Sequence, residues 1–341
     1  MTGSRNCFII ALALGLASVA PTLARTNQTR TRADQAAEVT EAFTLSQQAV
    51  KLYNAGKYKD ALPRAQRALE IREKALGKED ILVGRALANL AAIYFALRQY
   101  SEAQTQYEKA LHISEKAFGA TSPNLCDTLE NLAWTYYAHS DNRNAESLFK
   151  RSLSINQSSV GMGSLRAAKS AAALAAFYGK TGAYGKSADL YKYSVETYQK
   201  STGYSQDELT KLMGSCMCAL VEAGHPREAE GMYSARYQVE GRVSGQGGEV
   251  SQPGEVLQGK AIKRVEPAYP NQAKVQRLSG AVIVEVTIDE SGKVVNAVSV
   301  CGPELLEDAA VTAARQWRFQ PLTSGGVPVR VIGTVTFNFK M

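Results

Sequence analysis

The chain has 341 residues, which is long enough for two domains or for one elongated array with a domain attached. Its apolar fraction of 45% excludes wholesale disorder. The net charge is only +7, and because the basic residues are scattered rather than gathered in a run, we expect no nucleic-acid partner.

The N-terminus has the layout of a secretory signal peptide. Arg5 precedes the apolar run Cys7–Ala20, and "TLA" at 22–24 supplies the small residues of a cleavage site. The run is shorter than the roughly 20 apolar residues that a transmembrane helix needs. We therefore predict that residues 1–24 are a signal peptide and that the mature chain is exported. The alternative is an uncleaved membrane anchor.

The cysteines and histidines offer no obvious metal site. Cys216 and Cys218 are two positions apart in a helical stretch, so their side chains point in different directions. Cys126 and Cys301 lie far from them in the sequence, and the three histidines are scattered. This pattern favours packed thiols over a metal or redox site. We expect neither a metal nor a cofactor.

The middle of the chain repeats with a period of 42 residues. "GKYKDALPRAQRALEIREKALG" (56–77) aligns with "RQYSEAQTQYEKALHISEKAFG" (98–119) and with "NRNAESLFKRSLSINQSSVG" (142–161). Each unit carries two blocks of apolar residues at helical spacing, joined by a short polar link. Because two amphipathic helices cannot bury their apolar faces alone, the pattern predicts a stacked solenoid. We expect five helix pairs, near residues 40–75, 83–117, 124–157, 164–200 and 206–240.

These units resemble tetratricopeptide (TPR) repeats of the 42-residue type. The matching elements are "NLA..Y" on the first helix and "Y.EA...Y.KAL.I" on the second. The resemblance implies a binding scaffold whose concave groove is lined by the first helices. By position in the repeat, the groove residues are Arg85, Asn89, Phe95, Asp127, Asn131, Trp134, Tyr137 and Lys169. The alternative for each is packing between helices or solvated surface.

Beyond the repeats the periodicity changes. The stretch 241–260 has six glycines and few large apolar residues, which predicts a flexible linker. Alternating valines in 280–300, interrupted by "DESG", predict a β-hairpin. An amphipathic helix follows near 303–317, and 327–339 supplies a third strand. The unit is predicted to be a small α+β domain, in which a helix packs on a three-stranded antiparallel sheet.

The "QWRFQP" stretch predicts an aromatic anchor at the end of that helix. Trp317 closes the helix, and Pro321 discourages its continuation. In the extended segment between them, Trp317 and Phe319 can point into the helix–sheet interface while Arg318 points outward. Two buried aromatic rings form a large share of so small a core.

From Val265 to the end, the sequence resembles the C-terminal domain of TonB-family energy transducers. The matching elements are "EPAYPNQAKVQRLSGAVIVEVTIDESGKV", "LLEDAAVTAARQWRFQP" and "GGVPVRVIGTVTFNF". The resemblance implies that the domain binds an extended receptor segment as an added strand, along a last strand that is unpaired on one side. The implied binding residues are Tyr269, Pro270, Val329, Val331, Gly333, Val335, Phe337 and Phe339. For Tyr269 and Pro270, the alternative is a capping role in the core.

The predicted order is therefore a signal peptide at 1–24, a disordered segment at 25–39, an all-α TPR solenoid at 40–240, a linker at 241–260 and a TonB-like domain at 261–341. We predict an exported protein–protein interaction protein of the Gram-negative cell envelope, located in the periplasm. Its expected partners are envelope proteins or peptides, including an outer-membrane receptor segment. Neither nucleic acid nor a small-molecule substrate is expected.

The alternative function is that of a TonB-type energy transducer, anchored in the inner membrane and facing the periplasm, that drives transport through an outer-membrane receptor. The sequence departs from that pattern, since its apolar run is short and lacks histidine, and repeats replace the extended spacer. The chain has none of the G-x-S-x-G, H-E-x-x-H or P-loop motifs. We therefore expect no catalytic activity.

Overall fold

The computed structural model describes residues 32–239, 249–252, 254–324 and 326–340. These fall into two compact units, which divide between Met162 and Gly163. The predicted signal peptide lies outside the described residues.

The first unit consists of three helical hairpins. Its helices are α1 (Arg32–Asn54), α2 (Tyr58–Leu76), α3 (Ile81–Ala96), α4 (Tyr100–Phe118), α5 (Cys126–Ala138) and α6 (Asn142–Val160). The prediction that 25–39 is disordered is wrong from Arg32 onward, because α1 already begins there. The alanines of "RADQAAE" are strong helix formers, and α1 gains further stability by packing on α2.

Small residues at the repeat positions let the helices of each hairpin approach closely. Ala61, Ala103 and Ala145 occupy the same position in successive repeats, and each is fully buried. Glycines recur at the end of each second helix, where Gly77 and Gly119 have φ angles of 87° and 86°. A residue with a Cβ adopts this left-handed conformation only at a cost, so the glycines fix where each unit ends.

The second unit begins with two more hairpins, which complete the five predicted helix pairs. Their helices are α7 (Leu165–Lys180), α8 (Tyr184–Lys200), α9 (Gln206–Glu222) and α10 (Pro226–Val239). The remaining elements of this unit are β1 (Glu249–Gln252), α11 (Gly254–Gly259), β2 (Ala261–Lys263), α12 (Asn271–Val275), β3 (Gly280–Ile288), β4 (Val294–Cys301), α13 (Glu304–Ala314), β5 (Arg318–Phe319), β6 (Thr323–Ser324), β7 (Val327–Pro328) and β8 (Arg330–Phe339).

The main sheet contains the predicted three antiparallel strands and one more. Its strand order is β1-β8-β3-β4, in which β3 pairs antiparallel with both β4 and β8. Strand β1 adds to the outer edge of β8 in parallel. Both β1 and α11 lie inside the stretch 241–260, so the prediction of a flexible linker is wrong for those residues.

One face of the sheet carries α13 and the aromatic anchor. Trp317 is only 5% exposed, and its indole N–H donates to the carbonyl oxygen of Val265 at 2.9 Å. Its ring meets Phe337 of β8 edge-on, with the centroids 5.3 Å apart. Phe319 is fully buried while Arg318 is half-buried, so the two aromatic side chains point inward as predicted.

The other face of the sheet is covered by the last helical hairpin. Ile283 of β3 is 0% exposed and belongs to one apolar cluster with Met213, Met217 and Tyr233 of α9 and α10. Strand β3 is therefore buried on both faces, which explains its uninterrupted run "AVIV" at 281–284. As a result, the compact unit that contains the sheet starts at Gly163 and includes the last two helical hairpins.

The β3–β4 turn yields a first test, because a side chain cannot fit there. Gly292 has a φ of +82°, and a Cβ on it would lie 2.0 Å from the carbonyl oxygen of Phe319. Gly326 has a similar φ of +85°, but a Cβ there would have nothing within 4 Å. We expect Gly326→Ala to cost about 1–2 kcal/mol for the left-handed backbone. Gly292→Ala should cost about 1–3 kcal/mol more, because the backbone of Phe319 has to shift.

The measurement is urea unfolding followed by tryptophan fluorescence. The chain has two tryptophans, so a Trp134→Phe background leaves Trp317 as the sole reporter of the sheet domain. Equal losses of stability for the two alanine variants would show that the turn does not press against Phe319.

Candidate functional site

The predicted binding strand offers its backbone edge rather than its side chains. Val331, Val335, Phe337 and Phe339 are buried in the core beneath α13. Gly333 is buried on the same strand. Because these side chains are buried in the core, the predicted binding residues of β8 can offer a partner only their outer N–H and C=O groups.

That outer edge is already occupied along part of its length. Strand β8 pairs with β3 on its inner side, and on its outer side Glu249, Val250, Ser251 and Gln252 pair with Arg330, Val331, Ile332 and Gly333. The prediction of an edge that is unpaired on one side is therefore wrong for these four positions. The cause is invisible in the sequence, since a four-residue strand in a glycine-rich stretch shows no alternating pattern.

Helix α11 continues along the same edge. It follows β1 and lies against β8. Its Leu257 is 0% exposed and belongs to the core cluster that contains Val331 and Val335. Residues 249–252 and 254–259 thus lie against the domain whose edge they cover.

Tyr269 packs against the end of β8, and Pro270 lies at the start of the next helix. The Tyr269 hydroxyl donates a hydrogen bond to the carbonyl oxygen of Leu278, and its ring meets Phe339 edge-on with the centroids 5.6 Å apart. Pro270 caps the short helix α12. Val329, just before β8, packs on the same core. These contacts favour the capping role for Tyr269 and Pro270.

A disulfide and two hydrogen bonds fasten the last helical hairpin to the sheet. Cys218 of α9 is bonded to Cys301 of β4, across 83 residues of sequence. The Tyr233 hydroxyl donates to Glu285 of β3 at 2.8 Å. The Thr336 hydroxyl of β8 donates to Glu230 of α10 at 2.7 Å.

The disulfide corrects the interpretation of these cysteines as packed thiols. An even number of cysteines after the predicted signal peptide was the one signal for it, but spacing cannot pair residues so far apart. Cys216 and Cys126 are buried and take no part in the disulfide. Desolvation raises the pKa of Cys216 to about 12, so this thiol is unreactive near neutral pH.

In the first unit, the predicted groove residues divide by environment. Arg85 and Asp127 are exposed, while Asn89 and Asn131 are half-buried. The aromatic members pack against other rings at centroid distances of 5.0–5.8 Å: Phe95 with Tyr100, Trp134 with Phe149, and Tyr137 with Trp134. The charged positions are therefore the accessible ones, and the aromatic positions serve mainly as packing.

Lys169 belongs to the second unit and occupies the same repeat position as Arg85 and Asp127. It is exposed, and its ammonium group lies 3.3 Å from a carboxylate oxygen of Glu208 in α9. An exposed pair of this kind contributes little stability. The pair does lower the net charge that this position presents to a partner.

Sequence reasoning missed a cleft of about 270 Å³ among α4, α5 and α6. Its wall includes Glu108, His112 and Tyr136, and the Tyr136 hydroxyl donates to Glu108 at 2.9 Å. Desolvation, and then this hydrogen bond, raise the pKa of Tyr136. The cleft lies largely between second helices, whereas the repeat pattern directed attention to the first helices.

Two family comparisons cover different parts of the chain. Residues 40–116 and 83–158 match the tetratricopeptide repeat family. Residues 265–341 match the family described as Gram-negative bacterial TonB protein C-terminal. The chain therefore combines tetratricopeptide repeats with a TonB C-terminal domain, as the motifs predicted.

Individual relatives agree with this division. Protein TonB of Vibrio cholerae serotype O1 is 32% identical over 80 residues, which are 23% of this chain and 33% of that protein. The chain thus matches about a third of that relative's length. The TPR-like repeats of a Podosopora anserina kinesin light chain are 19% identical, with a TM-score of 0.52 over 60% of this chain and 97% of that one. The apo form of RapI is 14% identical, with a TM-score of 0.50 over 59% of this chain and 71% of that one. The two structural likenesses show the solenoid fold alone.

The disulfide yields the second test. A cross-link that closes a loop of this length stabilises by at most about 4.5 kcal/mol, through the entropy of the unfolded chain. We expect dithiothreitol, or the Cys218→Ser/Cys301→Ser variant, to lower the free energy of unfolding of the sheet domain, measured by urea titration with Trp317 as reporter.

The double serine variant is also the control for the reagent, because dithiothreitol should not destabilise it further. Peptide mapping without reduction should recover residues 218 and 301 in one cross-linked fragment. Recovery of two free thiols in protein purified under air would contradict the bond.

Proposed function

We propose that this chain is an exported, non-catalytic interaction protein of the Gram-negative cell envelope, in which a TPR scaffold is joined to a domain that binds extended peptide segments. The single observation that carries the proposal is the outer edge of β8, which accepts an extended strand in parallel register. The expected partner is a segment of an envelope protein, such as an outer-membrane receptor.

The geometry of β8 favours strand addition over a side-chain pocket. Its side chains are packed beneath α13 on one face, and Ile332 and Thr336 contact the last helical hairpin on the other. Where both faces of a strand are covered, as between Val331 and Phe337, a partner can contact it only through its lateral hydrogen-bonding groups. Such groups give affinity with little sequence selectivity, which suits recognition of a short extended segment.

The repeats offer a second surface of mixed charge. Arg85 and Asp127 are exposed at equivalent positions of successive repeats. Because their charges are opposite, a run of like charge in a partner would be repelled at one of them. A protein or peptide segment with both charges suits this surface better than a polyanion does.

Export is supported by the Cys218–Cys301 bond. Disulfides form and persist in oxidising compartments such as the periplasm and are rare in the cytosol. The signal-peptide layout of residues 1–24 supports the same conclusion.

The likeness to protein TonB of Vibrio cholerae favours a second candidate, a membrane-anchored energy transducer. In that case residues 1–24 stay on the chain and hold it in the inner membrane. Within the described ranges, no helix combines the length and the apolar character that crossing a membrane requires. The two candidates share the peptide-binding edge and differ in the fate of the N-terminus.

Photo-crosslinking in intact cells tests the binding edge. A photoreactive residue at Asn338, an exposed position on β8, should form an adduct with an extended segment of an envelope protein. The matched control is Asn296, an exposed asparagine on β4 at the opposite edge of the sheet. Equal adducts from both positions, or none from Asn338, would overturn the proposed binding edge.

N-terminal sequencing separates the two candidates. For the exported protein we expect a mature N-terminus at or near Arg25 in the soluble periplasmic fraction. Recovery of residues 1–24 from washed inner membranes would instead support the energy transducer.

A further inference from the structure

The chain covers its own binding edge with residues 249–252. These four residues form β1, which lies beside residues 330–333 of β8 in parallel register. An incoming strand needs the same N–H and C=O groups of β8 that β1 uses. The two strands therefore compete for one position.

Few residues of the chain separate β1 from segments that are fastened to the sheet domain on either side. On its C-terminal side, Leu257 is fully buried in the core only five residues after Gln252. On its N-terminal side, α10 ends at Val239, and the disulfide together with the Tyr233–Glu285 hydrogen bond fastens α9 and α10 to the same sheet. A short tether keeps a segment at an effective concentration of about millimolar near its site.

The pairing of β1 with β8 is weak. It pairs over four residues only, and parallel pairing is slightly less stable per residue than antiparallel pairing. By contrast, β3 pairs with β8 over nine positions, from Gly280 with Phe339 to Ile288 with Val331. A strand this short can leave the edge while the rest of the sheet stays intact.

We propose that residues 249–252 are an internal competitor that closes the β8 edge until an external strand displaces them. For the external partner this inference rests on the proposed function, whereas the closure itself is a property of this chain alone. While β1 occupies the edge, no added strand can bind. The apparent affinity of an added strand is therefore its intrinsic affinity multiplied by the fraction of time that the edge is open. The device therefore selects partners that are themselves held close, such as a segment of a protein already bound through the repeats.

The test uses the full chain and its own segment as the probe. A fluorescein-labelled peptide with the sequence of residues 247–253, "GGEVSQP", is titrated with wild-type protein and followed by fluorescence anisotropy. The opening variant is Val250→Pro/Ser251→Pro. Successive residues of a strand direct their N–H groups to opposite sides, so the proline pair removes one of the N–H donors to β8 whichever of the two residues carries it. The matched control, Val250→Ala/Ser251→Ala, keeps both backbone donors.

We expect the peptide to bind the proline variant at least tenfold more tightly than it binds the wild type or the alanine control. Hydrogen exchange should show the corresponding change, with residues 330–333 losing protection in the proline variant and regaining it with peptide. Equal peptide affinity for all three proteins, or unchanged exchange of residues 330–333, would overturn the proposal.

A measurement on the wild type tests the proposal even if the proline variant misfolds. With unlabelled peptide at several millimolar, residues 249–252 of the intact chain should exchange faster as they are displaced. No acceleration would count against an internal competitor. Failure of this inference can be told apart from failure of the proposed function. If Asn338 forms equally strong adducts in the wild type and in the proline variant, the binding edge is supported and the internal competitor is contradicted.

Discussion

The burial of β3 on both faces is the constraint on which the second unit depends. Val282 and Val284 pack beneath α13, while Ile283 packs against α9 and α10. A strand whose side chains are apolar on both faces is stable only where two layers cover it. The last helical hairpin therefore serves as the second layer of the sheet domain as well as the end of the repeats.

This layering explains the cross-link and the polar contacts around it. Cys218 can reach Cys301 only because α9 lies directly on β4 and β3. The carboxylates of Glu285 and Glu230 each receive a hydroxyl across the same interface, and a partly buried carboxylate needs such a partner. The interface is consequently specific in orientation, and its apolar contacts supply most of its stability.

The same layering limits where a partner can bind. With both faces of β8 covered, the sheet presents its lateral edges, and β1 occupies part of one of them. An internal strand satisfies backbone groups that would otherwise be open to unwanted pairing with other chains. On the proposed function, the segment that protects this edge from aggregation is also the one that controls binding.

The sequence by itself determined the local architecture. The 42-residue spacing of Ala61 and Ala103 predicted the hairpins, and the alternating valines of β3 and the "QWRFQP" anchor predicted the small domain. These features are readable because helix and strand periods, turn residues and aromatic anchors act between residues close in the chain.

Only the tertiary structure decided the contacts between distant segments. The pairing of Cys218 with Cys301, the strand at 249–252 and the packing of α9 on the sheet each join residues that no period relates. The alternating valines of β3 predicted a strand with a helix on one face, but they did not indicate that α9 and α10 would cover the other face. Long-range partners are selected by the shape and apolar area of the assembled surfaces, and those surfaces exist only after the local elements have formed.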